Sequence, residues 1–170
     1  MRNESSPIWY RWALAEVGVR ETPGPKSTPR IMAYREIGKT PLGGEDGAVP
    51  WCAIFVNAAL EAAGVRSTRS GMARSYERSP GFVKLAGPAL GAITCKWRNS
   101  PKSGLGHVGF YAGHDTRGRV VLIGGNQGDS VSKASFDPGQ ITGFFWPKGQ
   151  PLPAIGKVAA GSAVASATEV

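Results

Sequence analysis

The 170-residue sequence predicts a single α+β domain, with helices first and an antiparallel sheet of about five or six strands after them. Two observations carry that expectation. Up to about Gly64 the apolar residues recur at helical spacing, and from about Phe82 short apolar runs alternate with turn residues. A chain of this length can bury one sizeable core. Its 41% hydrophobic and 19% charged residues are those of a water-soluble globular protein.

The elements follow in order. Ile8, Trp12, Ala15 and Val19 mark a first helix, with Ser5 or Ser6 as cap and Pro7 in its first turn. Glu21 to Pro25, with two prolines and a glycine, must break it. Thr28 and Pro29 read as the cap and first residue of a second helix, ending near Ile37. Thr40 to Pro50 is a loop carrying Gly43, Gly44 and Gly47 around Glu45 and Asp46. A third helix runs from Trp51 to about Ala63 and stops at Gly64; its nearly continuous apolar positions mark it as buried. Ser70 to Tyr76 is a short fourth helix. Strands are expected over 89–97, 107–112, 120–124, 131–136 and 141–146. The domain is expected to span residues 1–148. Residues 149–170, rich in Ala, Gly, Ser and Val, read as a mobile tail too short in apolar run to span a membrane.

The formal net charge is +8. Between Ala62 and Phe110 the basic residues are Arg66, Arg69, Arg74, Arg78, Lys84, Lys96, Arg98 and Lys102, against a single acid, Glu77. Such a surface suits contact with an anionic envelope, or solubility alone. No helix-turn-helix, zinc or single-strand-binding signature points to a specific nucleic acid. Cys52 and Cys95 make no disulfide framework. The start, Met1 to Pro7, lacks the apolar run of a signal peptide, so synthesis in the cytoplasm is expected, with any outside action needing another route of release.

Two segments carry the chemistry. Pro50-Trp51-Cys52-Ala53-Ile54-Phe55-Val56-Asn57 puts a cysteine in the first turn of a helix. There the helix dipole and unpaired backbone N–H groups favour a thiolate and can hold an oxyanion. About 55 residues on, Gly106-His107-Val108-Gly109-Phe110-Tyr111 puts a histidine at the start of a strand. His107 is the better partner for Cys52, because His114 falls in a turn where solvation is expected. Cys95, mid-strand, reads as structural. A third group should orient the imidazole. If the strands around residues 114–119 pair as a hairpin, His107 faces Gly125 or Asn126, and Asn126 is the first choice. A slip in register would substitute Gln127 or, further off, Asp129. Glu16 and Glu21 read as solvated or capping residues. Glu45 and Asp46 are adjacent carboxylates, which is not a metal-ligand set.

The order Cys, His, Asn with helices before sheet resembles the NlpC-type and CHAP families of papain-like cell-wall hydrolases. It is more similar still to a phage and bacterial subgroup of them. The residues concerned are Gly18-Val19-Arg20-Glu21-Thr22-Pro23-Gly24, Trp51 to Asn57, Gly91 to Ile93, Gly106 to Phe110, Gly124-Gly125-Asn126-Gln127 and Phe145-Trp146-Pro147. The resemblance spans about Pro7 to Pro147. It implies a papain-like fold and cleavage of an amide in peptidoglycan, by an amidase or an endopeptidase. It also implies Cys52 as nucleophile, His107 as base and Asn126 as third member. Asp46, Trp51, Gln127 and Tyr111 are the candidate substrate contacts, and Trp97 is a further groove residue. No metal or organic cofactor is expected, although some relatives bind calcium and Asp46 is where this chain would do so. A monomeric phage endolysin acting on the wall after release is the first expectation. An injected antibacterial effector, a non-catalytic wall-binding module, and a protein deamidase or transglutaminase are the alternatives.

Overall fold

A computed structural model of the protein describes residues 6–23, 28–41 and 50–153, with the backbone of Ala167 and Thr168. The expected α+β class is what it shows. Helices α1 (Ile8–Ala15), α2 (Pro29–Ile37) and α3 (Cys52–Ala62) precede strands β1 (Phe82–Lys84), β2 (Ile93–Trp97), β3 (Gly106–His114), β4 (Val120–Gly124), β5 (Ser132–Phe136), β6 (Ile141–Pro147) and β7 (Ala167–Thr168). The sheet order is β1-β6-β2-β3-β4-β5-β7. Every pairing is antiparallel except that of β7 with β5. The expected mobile tail lies largely outside the described residues.

Helix α3 is the keystone. Its residues Cys52 to Leu60 are all buried, as their unbroken apolar run requires. It packs against β3 and β4 on one side and against α1 and α2 on the other. Phe55 meets Tyr34 of α2 edge-on at 5.4 Å and Trp12 of α1 at 6.0 Å. Beneath it lie Ile93, Cys95, Val108, Phe110 and Ile123, none of them accessible. The one polar side chain buried mid-helix, Asn57, is fully used. Its amide donates to Thr40 Oγ1 (2.9 Å) and the Ser70 carbonyl (3.0 Å), and its oxygen accepts from the Tyr76 hydroxyl. Asn57 therefore ties α3 to both connections that flank it, at the satisfaction a buried amide demands.

Several expected boundaries move. Helix α1 stops at Ala15, and its N-cap is Pro7, where a serine was expected. Residues 18–21 leave the helix because they are recruited by the sheet side: Gly18 N–H donates to the Val131 carbonyl (2.9 Å), Val131 N–H to Val19 (2.8 Å) and Glu21 N–H to Asp129 (2.8 Å). The expected fourth helix is a 3₁₀ turn, Ala73–Glu77. Strand β2 begins at Ile93, later than expected, because Gly91 takes φ +81° and its carbonyl receives the Trp9 indole N–H at 2.8 Å. Strand β1 has three residues, too few for alternation to reveal.

Candidate active site

Cys52 is the first residue of α3, and Trp51 is its N-cap. The fold sets this point by two contacts. The Trp51 indole N–H donates to the Glu21 carboxylate. Gly125 lies so close that a Cβ there would come within 2.7 Å of both the Trp51 ring and Phe55 Cβ. Glu16 is the C-cap residue of α1, in line with the capping expectation, and its side chain is also used; Glu21 is engaged by Trp51, contrary to expectation. Glu16 binds Arg30 Nε at 2.8 Å and accepts the Tyr34 hydroxyl at 2.6 Å, tying α1 to α2. Glu21 reaches the residue next to Cys52, so the break after α1 braces the start of α3.

The thiol of Cys52 is buried, with 6% of the residue exposed. The backbone N–H groups of Val108, Ala53 and Cys52 itself favour its anionic form. Val108 follows His107, so α3 delivers the sulfur to within one peptide unit of the histidine. Burial pushes the thiol above its ordinary value of 9.0; the three N–H donors and the Arg98 charge offset only part of that. Burial therefore works against the thiolate that the helix start favours. A neutral resting thiol needs a base to take its proton. Alkylation of Cys52 by iodoacetamide in otherwise cysteine-silent Cys95→Ala protein is expected to accelerate with pH through a midpoint above 9. A midpoint near 7 would show the thiolate to be preformed.

His107 is 2% exposed. Its ring lies against Phe136 at 5.3 Å, and Nε2 is 2.8 Å from Gln127 Oε1. The Gln127 amide is oriented by its other end. Gln127 Nε2 donates to the Ser132 carbonyl at 2.8 Å and to the Leu122 carbonyl at 3.3 Å, which can only accept. Oε1 must then face the imidazole, so in neutral His107 the proton sits on Nε2 and donates to it. Nδ1 is left with its lone pair, the protonation a general base requires. The glutamine is held in turn by backbone bonds: its N–H donates to the Ser130 carbonyl (3.0 Å), and its carbonyl accepts Ser130 Oγ (2.9 Å) and Ser132 Oγ (3.1 Å).

The side chain that meets His107 is that of Gln127, where Asn126 was the first expectation. The register argument holds: Phe110 stands opposite Ile123 and Tyr111 opposite Leu122, which would bring Asn126 opposite His107 if the ladder went on. It does not go on. Strand β4 ends at Gly124, and Asn126 turns left-handed at φ +58°. That turn carries the next side chain, Gln127, back over Gly124, whose hypothetical Cβ would sit 2.5 Å from Gln127 Oε1 and 3.4 Å from His107 Nε2.

Three candidate substrate contacts are buried. Trp51 is fully buried among Tyr34 and Phe55, so it presents no surface to a substrate. Tyr111 is 1% exposed and is spent on His114: its hydroxyl is 2.6 Å from Nδ1, and Phe144 meets its ring at 5.6 Å. His114 is correspondingly part of β3 and half-buried, not a solvated turn residue. Gln127, also expected to touch substrate, is buried against His107 instead. Trp97 is half-buried at the end of β2. Asp46 and Glu45 lie outside the described residues. Cys95 is structural, as expected: fully buried, its thiol donates to the Ala73 carbonyl at 3.5 Å, and burial raises its pKa well above 9.0. Both cysteines are free.

Among the described residues no cluster of three metal-binding side chains occurs, and no helix is long and apolar enough to cross a membrane. Compared with known proteins, the chain matches no family model, no curated protein and no solved structure.

Proposed function

We propose that this protein is a cysteine hydrolase of papain-like type that cleaves an amide bond of bacterial peptidoglycan, with Cys52 as nucleophile, His107 as base and Gln127 as the residue that orients the base. The observation that carries the chemistry is the meeting of two buried devices at the start of β3. One is a buried thiol at a helix N-terminus, whose anion is favoured by the N–H that follows His107. The other is an imidazole whose tautomer is set by Gln127. The substrate class rests on the resemblance of the motifs around them to cell-wall hydrolases.

The reaction follows from the groups. His107 Nδ1 takes the Cys52 proton as sulfur attacks the amide carbonyl, so the neutral resting thiol becomes nucleophilic only when substrate is in place. This step requires Nδ1 to come within hydrogen-bond reach of Sγ when substrate is bound, and catalytic bonds of this kind commonly tighten only in the complex. The Cys52 backbone N–H, with a neighbouring donor, would hold the oxyanion. The imidazolium gives its proton to the leaving amine, and water, deprotonated by the same nitrogen, then releases the acyl group from sulfur. The basic surface suits an anionic wall, and the most economical setting is a phage endolysin.

Digestion of purified Gram-negative peptidoglycan, with mass spectrometry of the fragments, tests this. Stem peptides freed from glycan are the expected products of an amidase, and shortened stems or split cross-links those of an endopeptidase; either must vanish with Cys52→Ala. No Cys52-dependent product from several wall types overturns the reading.

A further inference from the structure

We propose that Glu21 is a positioning residue: it clamps the start of α3 to the segment that fastens Gln127, and so sets the spacing between Cys52 and His107. The clamp is a property of the fold; its catalytic consequence rests on the hydrolase reading above.

Glu21 belongs to no helix or strand, yet its backbone is held on both sides. Gly18, at φ +106°, turns the chain out of α1. Val19 to Glu21 then run beside Asp129 to Val131. Val131 N–H donates to the Val19 carbonyl (2.8 Å), Arg20 bridges Ser130, and Glu21 N–H donates to the Asp129 carbonyl (2.8 Å). From the side of α2, Thr28 Oγ1 donates to the Arg20 carbonyl (3.3 Å) and accepts Thr22 N–H (2.6 Å). A backbone fixed before and after Glu21 fixes where its carboxylate can reach, and the carboxylate accepts the Trp51 indole N–H.

The two ends of this clamp are the two halves of the site. Trp51 is the N-cap of α3 and precedes Cys52. Its ring is wedged against the end of β4, where a Cβ on Gly125 would come within 2.7 Å of it, and the bond to Glu21 holds the ring's polar edge. At the other end, Asp129 and Ser130 close the loop that presents Gln127. Gln127 N–H donates to the Ser130 carbonyl (3.0 Å), Ser130 Oγ donates to the Gln127 carbonyl (2.9 Å), and Gln127 Oε1 lies 2.8 Å from His107 Nε2. Nucleophile and base come from α3 and β3, elements far apart in sequence. Glu21 is bonded toward both, by its side chain to the neighbour of Cys52 and by its backbone to the loop behind His107. Removing the carboxylate frees the helix start while the loop keeps its own bonds, and the thiol-to-imidazole spacing changes. A displacement of about 1 Å at a reacting group can cost about 10²-fold in rate.

Two experiments on the full chain separate the clamp from its consequence. In steady-state kinetics on soluble muropeptides, Glu21→Leu is expected to lower kcat about 30-fold at unchanged KM. Glu21→Gln, whose amide oxygen still accepts the indole N–H though less strongly than a carboxylate, is expected to recover to about threefold below wild type. Trp51→Phe keeps a ring and removes the donor, so the double variant Glu21→Leu/Trp51→Phe is expected to lose no more than the worse single variant. Losses that multiply, a Gln variant as slow as the Leu variant, or an effect confined to KM overturn the positioning role. Native-state hydrogen exchange tests the clamp without substrate. Phe55 N–H makes the first bond of α3, to the Trp51 carbonyl at 2.9 Å. Its exchange is expected to speed up about tenfold in Glu21→Leu and to stay unchanged in Arg20→Ala, an exposed neighbour. Unchanged Phe55 exchange in Glu21→Leu, or an equal rise in Arg20→Ala, overturns the clamp. If wild-type protein cleaves no muropeptide, the hydrolase reading falls and the exchange rates still judge the clamp.

Discussion

Replacing Gln127 with leucine is expected to lower kcat roughly 10²-fold, whereas Asn126→Ala stays within a few-fold of wild type. Leucine keeps the volume but removes the acceptor from His107 Nε2, now 2.8 Å from Oε1. The imidazole then has no reason to keep its proton on Nε2, and Nδ1 ceases to be a dependable base. The same change strands the carbonyls of Ser132 and Leu122, which the amide now serves, at about 1–3 kcal/mol of stability. Urea denaturation alongside kinetics separates the two effects. A kcat loss in protein that is still fully folded is the catalytic one. A larger loss in Asn126→Ala than in Gln127→Leu would return the third position to Asn126.

Gly125→Ala is expected to be strongly damaging. Its Cβ would meet Phe55 Cβ and the Trp51 ring carbons Cε3 and Cζ3 at 2.7 Å. All are buried, and none is the free end of a flexible side chain. Either β4 or the start of α3 must shift, at about 2–3 kcal/mol. The shift lands on Cys52, one residue from Trp51, and a displacement of about 1 Å at a nucleophile can cost about 10²-fold in rate. The urea midpoint and wall-degrading activity should fall together. A Gly125→Ala protein of wild-type stability and rate would show that α3 is not held where the structure places it.

The fold was largely legible because its signals are local. The unbroken apolar run of α3, the proline and threonine at the start of α2, and the hairpin of β3 and β4 were all readable from neighbours in sequence. What was hidden depends on partners far along the chain. Helix α1 reads as continuing to Val19, but residues 18–21 are taken by 129–131, and no pattern within α1 announces that. Glu21 looks like a solvated acid until the fold brings it to Trp51, 30 residues on.

The site was legible to the same extent. Cys52 and His107 follow from a helix start and a strand start. Pairing arithmetic then aimed correctly at the segment holding Asn126 and Gln127, because the register is set by the hairpin. It put Asn126 first because it assumed that the ladder continues, whereas a single left-handed residue after β4 brings the side chain of Gln127 to the histidine. The substrate contacts fared worst. An aromatic beside a nucleophile reads the same whether it lines a groove or anchors a helix, and Trp51 does the latter.

The central claim is that Cys52 becomes acylated by the amide it cleaves. It is tested most directly by acid-quenching the protein with soluble muropeptides within the first turnovers and weighing the intact chain. The account predicts an adduct on the peptide containing Cys52, with the mass of the acyl half of the cleaved amide. That adduct should be absent from Cys52→Ala and should form far more slowly in His107→Ala, where no base activates the thiol. Release of the same fragments at the wild-type rate by Cys52→Ala, with no adduct on the wild-type protein, would contradict it.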